Sequence, residues 1–200
     1  MHGTDQKNHI SPPNTLSHIL HRKSSRALSG DPLSDAQIHT LFDAARRAPS
    51  AFNSQPWRFI YAKKDTPMWE TLLNLLTESN RIWAQQASLL ILVLSYKNDP
   101  VSGKTLETHS LDTGAAWQNL ALQGCAMNLV VHAMRGLDIP RARQTLNISD
   151  ALSIEIMIAV GPPGDPANLP ANLQEKERKS GRFEVNEIAF ENTVPSNFRP

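Results

Sequence analysis

The chain has 200 residues, with 20 Lys and Arg against 19 Asp and Glu and a single Cys, the profile of one ordinary globular domain able to bury a core without disulfides. One cysteine cannot form an internal bridge, so a secreted disulfide scaffold is excluded and a reducing, cytoplasmic setting is expected. A formal charge of +1 gives no global attraction to nucleic acid or to an anionic membrane, although a local basic cluster can still take a small anion.

Residues 1–15, MHGTDQKNHISPPNT, are polar, carry a Pro pair and lack an apolar h-region, so they read as a flexible arm before a single domain over 16–200. The first strong helix is announced by Ser34 with Gln37 three residues on, a capping box, after which Ile38, Leu41, Phe42 and Ala45 share a face until Pro49. Trp57 to Ala62 is β-branched and aromatic and reads as a strand. Pro67 opens a second helix through Leu72, Leu73 and Leu76. The longest aliphatic run, Leu89 to Leu94, is six residues, far short of the ~18 that span a bilayer, and reads as a buried strand.

Leu111 to Asn128 is apolar nearly all round the helical wheel, the pattern of a central or interface helix, and Asn128 suits a left-handed end. Val130 to Met134 is a short strand, Pro140 opens a helix, and Leu152 to Val160 is a strand with broken alternation. Gly161 to Arg182 is too long for a plain loop in a compact domain. It begins a C-terminal arm, 161–200, whose strand-like run Val185 to Phe190 is expected to complete the sheet of a second subunit.

No HExxH, Walker loop, GxSxG or GxGxxG pattern is present, and no third ligand joins His18 and His21, so a metal centre is not expected. Cys125 falls inside the apolar helix, where a thiol is usually a small hydrophobe. Two clusters remain. Arg22-Lys23-Ser24-Ser25-Arg26 places Arg22, Ser24 and Arg26 on one side of an extended segment, suited to a phosphate monoester, or else it is a solvated basic turn. Ala48-Pro49-Ser50-Ala51-Phe52-Asn53-Ser54-Gln55-Pro56-Trp57 holds amides and hydroxyls in a stiff loop, suited to the polar edge of a heteroaromatic ring, or else these side chains cap their own backbone. A nucleic-acid site on Arg22, Lys23, Arg26, Arg46 and Arg47 lacks any recognition-helix pattern.

Taken in order, these clusters resemble the FMN-dependent nitroreductase family. The resemblance extends through Asp112-Thr113-Gly114-Ala115-Ala116-Trp117-Gln118-Asn119-Leu120 in the apolar helix, the turn Met134-Arg135-Gly136-Leu137-Asp138, and the last strand with Pro162 and Arg182 beyond it, covering about residues 16 to 190. It implies an α+β fold: a three-layer α/β/α arrangement around a central mixed, mostly antiparallel sheet, with the C-terminal arm exchanged across a homodimer. It further implies FMN at the dimer interface, NADH or NADPH as electron donor, and a small planar acceptor such as a nitroaromatic or quinone, with neither nucleic acid nor membrane as partner. Dehalogenation, flavin fragmentation, enoate-type reduction and simple flavin binding are alternatives within the same architecture.

By the same resemblance Arg22, Lys23, Ser24 and Arg26 face the ribityl phosphate or the pyrimidine side of the ring, and Pro49, Ser50, Ala51 and Asn53 come from the partner subunit. Asn80 is a flavin contact, Arg135 and Gly136 form the turn near flavin N5 and O4, and Arg182 closes the phosphate site. No side chain is implied as a nucleophile, because the redox chemistry is the flavin's. The chain departs from the family at Asn128, often Gly, and at Arg135, often acidic or small; Arg135 either favours an anionic substrate or points into solvent. Phe52, Met68, Trp69 and Trp83 are either a roof over the ring or core.

Overall fold

In a computed structural model describing residues 15–99, 101–178 and 180–195, strands β1 (Trp57–Lys63), β2 (Leu89–Tyr96), β3 (Val130–Met134) and β4 (Leu152–Gly161) form one sheet in the order β1-β2-β4-β3. Every pairing among them is antiparallel, so within the described chain the sheet is not mixed as expected. Most of the expected N-terminal arm, residues 1–14, lies outside the described residues.

The helices are α1 (Ser17–His21), α2 (Asp35–Ala45), α3 (Pro67–Leu73), α4 (Glu78–Ala84), α5 (His109–Ala126), α6 (Ile139–Thr145), α7 (Ala171–Gln174) and α8 (Val185–Ile188). They cover both faces of the sheet. Leu90, Leu92 and Leu94 of β2 point into a core with Trp69, Leu72, Trp83 and Ala142 from α3, α4 and α6. Leu89, Ile91 and Val93 point into a second core with Ile38, Leu41, Ala45, Ala116, Leu120 and Ala121 from α2 and α5. A strand that serves two cores has no solvent face, which is why its sequence is apolar throughout instead of alternating.

The broken alternation in β4 has a specific cause. Val93 pairs with Ile156 and Leu94 with Ile154, so Glu155 is an inserted bulge residue. Ile154 still meets the first core and Ile156 the second, while the extra residue carries its carboxylate out of the ladder. Glu155 accepts from the Ser95 hydroxyl at 2.5 Å and the Ser110 hydroxyl at 2.8 Å, and His109 Nδ1 lies 2.7 Å from Ser95 Oγ, which fastens the start of α5 to the sheet.

Local signals hold where they involve near neighbours. Ser34 Oγ accepts from Gln37 N–H at 3.2 Å and Gln37 Oε1 from Ser34 N–H at 2.9 Å, and Asn128 ends the α5 region with a φ of 55°. The 161–182 segment is not structureless: short 3-10 turns at 166–168 and 175–177 flank α7. The run expected as a strand after Val185 is instead α8, because Glu184 and Glu187 close a capping box around it and no strand of the described chain lies beside it to pair with. Exchange of this arm between subunits is therefore a separate question from the fold.

Leu92 is wholly buried between the layers. Leu92→Ala is expected to lower the unfolding free energy by about 2–5 kcal/mol, read as a lower urea midpoint at unchanged slope.

Candidate functional site

The basic motif begins where α1 ends; Arg22, at φ −58° and ψ 124°, leaves the helical conformation, and residues 22–27 form neither helix nor strand. Ser25 is buried while Lys23 and Ser24 before it are exposed and Arg22 and Arg26 are half-buried. Three bonds hold Ser25: its hydroxyl donates to Glu177 Oε2 at 2.6 Å, Ser25 Oγ accepts from Ala27 N–H at 3.2 Å, and its carbonyl accepts from His132 Nδ1–H at 2.9 Å. Arg26 N–H donates to Glu177 Oε1 at 2.8 Å, and the Lys23 and Arg26 cation heads each lie 3.8 Å from that carboxylate. Arg22 reaches Ser24 Oγ at 3.3 Å. Beyond the motif, Gly164 N–H donates to Ala27 O and Ser29 N–H to Pro162 O, seating residues 27–29 along 162–164.

The second cluster is a strained loop. Phe52, Asn53 and Gln55 all have positive φ, at 51°, 55° and 46°. For an L-residue other than Gly or Asn this costs ~1–2 kcal/mol, so the loop must be held from outside. Asp112, buried on α5, supplies the hold: its Oδ2 accepts from Ala51 N–H at 3.1 Å and from the Thr108 hydroxyl at 3.0 Å. Ser50 Oγ accepts from Gln55 N–H at 3.0 Å, so that hydroxyl does cap its own loop, whereas Phe52 and Asn53 stand exposed. Pro49, Ser50 and Ala51 line an open groove of about 680 Å³ with Ser110, Leu111, Asp112, Gly114 and Ala115 of α5.

The third cluster joins Thr77 and Asn80, at the start of α4, to the turn after β3. Thr77 N–H, Asn80 Nδ2 and the Thr77 hydroxyl all donate to the Gly136 carbonyl, at 3.0, 3.1 and 3.3 Å. A Cβ at 136 would lie 2.6 Å from Asn80 Nδ2 and 2.8 Å from Thr77 Oγ1, so any larger residue would displace the side chains that bond the Gly136 carbonyl. The Arg135 carbonyl accepts from Leu137 N–H at 2.9 Å; in a trans peptide the Gly136 N–H then points the other way. Arg135 is exposed.

The three clusters are separate in one chain: no hydrogen bond or ion pair among the described residues joins one to another. Arg182 is exposed and bonds Ser180 and Gly181, its own neighbours, at distances from 2.8 Å. Trp69 and Trp83 are core, while Phe52 and Met68 are exposed, and Cys125 is half-buried. Among the described residues no three His, Cys, Asp or Glu side chains gather as metal ligands, and no helix is long and apolar enough to cross a membrane.

Sequence reading missed Ser25, Asp112, His132 and Glu177. Each supports an expected site residue from behind, and only Ser25 carried a local signal, as the buried position of an alternating segment. His132 stacks on Trp83 with ring centroids 4.5 Å apart, and burial pushes its imidazole below the ordinary value, with Arg26 and Arg22 adding to the shift and Ser25 O and Glu177 opposing it.

Comparison with known proteins bears on all three clusters. The Nitroreductase family profile matches residues 19–90, which contain the basic motif, the strained loop and the Thr77 and Asn80 side of the third cluster. A solved oxidoreductase containing FMN is 36% identical over 98% of this chain and 99% of its own, with a TM-score of 0.89. The chain belongs to the nitroreductase family. Among other family structures, one from Desulfovibrio desulfuricans, provisionally named a nitroreductase and solved with FMN, is 27% identical over 92% of this chain and all of its own, with a TM-score of 0.71. A Streptomyces coelicolor protein provisionally named NADH dehydrogenase/NAD(P)H nitroreductase is 24% identical over 74% of this chain and 84% of its own.

Two outcomes follow for this nitroreductase-family chain. Asp112→Ala strips the Ala51 amide of its acceptor and is expected to speed hydrogen exchange there by about tenfold or more, with stability falling by about 1–3 kcal/mol. Because the folded His132 resists protonation, its contribution to stability is level above pH ~6.5 and declines below it as the unfolded chain takes up the proton; His132→Gln is expected to flatten that decline, read as the pH dependence of the urea midpoint.

Proposed function

We propose that residues 16–200 form one FMN-dependent NAD(P)H oxidoreductase domain, active as a homodimer on nitroaromatics, quinones or similar small planar acceptors. The observation that carries this reading is the row formed by Arg22, Ser24 and Arg26, held outward by a buried Ser25, in a chain 36% identical to an FMN-containing oxidoreductase. Two guanidinium groups, the Lys23 ammonium at 57% side-chain exposure and a hydroxyl match the charge and the acceptor oxygens of a phosphate monoester. The donor set therefore fits the ribityl phosphate of FMN.

Bound flavin would supply the electron transfer, accepting hydride from a nicotinamide and passing electrons to the acceptor. The chain's own groups bind and orient. Gly136 N–H, aimed by the Thr77 and Asn80 bonds to the adjoining carbonyl, is a fixed donor for the polar edge of the ring. The loop Pro49 to Asn53 presents Ala51 and the exposed Asn53 amide toward a second subunit, and Arg182 approaches the phosphate once the arm is seated. Exposed Arg135 lies at the rim, where its cation favours anionic acceptors.

The dimer reading has its own support. Leu16, Ile19, Phe52 and Leu111 are large apolar side chains between 48% and 101% exposed, and α1 packs against α5, the helix apolar nearly all round. A strained loop that exposes a whole Phe ring is also better explained by a partner surface than by solvent.

Purified protein, reconstituted with FMN and freed of excess, is expected to be yellow and to bleach anaerobically with NADH or NADPH. A colourless preparation overturns the flavin reading, and colour that persists with both nicotinamides overturns the enzyme reading. Replacing Arg22 and Arg26 together by Ala should lower FMN occupancy far more than it lowers dimer content by light scattering, where a stable monomer contradicts the shared site.

A further inference from the structure

The peptide group between Ser25 and Arg26, at the centre of the basic motif, is held at both ends. Its carbonyl accepts from His132 Nδ1–H at 2.9 Å, and its N–H donates to Glu177 Oε1 at 2.8 Å. A peptide plane pinned from both sides cannot rotate, and its orientation decides which side chains of an extended segment face in and which face out. Glu177 arrives from 151 residues away in sequence, on the segment that continues to Arg182, and its other oxygen takes the Ser25 hydroxyl at 2.6 Å.

We propose that Glu177 is a positioning residue: its carboxylate clasps Ser25 and Arg26 from behind and thereby sets Arg22, Ser24 and the Arg26 side chain in the row that binds the flavin phosphate. This rests on the FMN reading above. The distances separate a clasp from a resident anion. Both carboxylate oxygens are spent on short bonds to the Ser25 hydroxyl and the Arg26 backbone, whereas the Lys23 and Arg26 cation heads remain 3.8 Å away. Charge-assisted guanidinium and ammonium bonds run at about 2.7–2.9 Å, so at 3.8 Å the Lys23 and Arg26 heads are not committed to Glu177 and stay available to another anion. The Glu177 side chain is only 7% exposed, so its charge is stabilised by these donors and not by water. The same bonds anchor the C-terminal arm five residues before Arg182, close enough for the chain to reach about 17 Å from the clasp.

The test uses the full chain with Glu177→Ala, Glu177→Gln and Arg22→Ala, following FMN affinity by flavin fluorescence, melting temperature, and hydrogen exchange at the Arg26 amide. Glutamine keeps an acceptor for the Arg26 amide and a donor for Ser25 Oγ without the charge. The clasp predicts that E177A weakens FMN binding by about tenfold or more at a temperature where it is fully folded, while E177Q stays within about threefold of the parent chain. Exchange at the Arg26 amide should be fast in E177A and slow in E177Q with no flavin present. Where E177A fails to fold, Glu177→Asp, one methylene short of the motif, is expected to show the same fast exchange and weakened binding. Tighter FMN binding in both E177A and E177Q would show that the carboxylate competes with the phosphate and overturns the proposal. A lowered melting temperature with unchanged affinity would reduce Glu177 to a structural role and also overturns it. Loss of the flavin reading has a different signature, unchanged FMN content in R22A, and leaves the exchange experiment to decide the clasp.

Discussion

The fold depends on β2 having no solvent face. Leu90, Leu92 and Leu94 bind one helical layer while Leu89, Ile91 and Val93 bind the other, so a single strand is the floor of both cores. Each fully buried aliphatic side chain contributes about 1.5–3 kcal/mol, which makes substitutions in this strand costly. With both sheet faces taken by helices, chemistry is displaced to the loops beyond strand ends and to segments that run beside the layers. The basic motif, the strained loop and the Gly136 turn all lie in such places, the first two held by buried or nearly buried side chains that reach out to them, Glu177, His132 and Asp112, and the third by the exposed Thr77 and the half-buried Asn80.

What reaches out is mostly aimed at main-chain atoms. Glu177 and His132 pin one peptide group in the basic motif, Asp112 pins the Ala51 amide, and Thr77 with Asn80 pins the Gly136 carbonyl. Main-chain donors and acceptors held in this way point in fixed directions and need no reorganisation when a ligand arrives. The arrangement also leaves the outward cations of the first motif on a neutral protein. Overall charge is +1, yet Arg22, Lys23 and Arg26 stand together with one carboxylate behind them.

Local signals in the chain were reliable where their cause was local. The Ser34 and Gln37 capping box, Pro67 at the first turn of α3, the left-handed Asn128 and the apolar β2 each depend on contacts within a few residues or on bulk burial. The run after Val185 shows the limit. Its β-branched and aromatic composition suggested a strand, but a strand exists only beside another strand, and in the described chain the local capping box decides for a helical turn. Asn80 illustrates the same limit at the site. It was expected as a flavin contact, but its partner within the chain was not legible, since the Gly136 carbonyl it serves lies 56 residues away.

The sequence by itself determined the positions of most elements, because hydrophobic period and capping are written in neighbouring residues, whereas the layered arrangement was legible only through the family resemblance. Tertiary structure alone decided which groups stand behind the site residues. Glu177 meets Arg26 across 151 positions, His132 meets Ser25 across 107, and Asp112 meets Ala51 across 61. None of these carboxylates or rings has a local pattern to mark it, since its role is set by where the packed layers place its side chain and by the cost of leaving a buried peptide group unpaired.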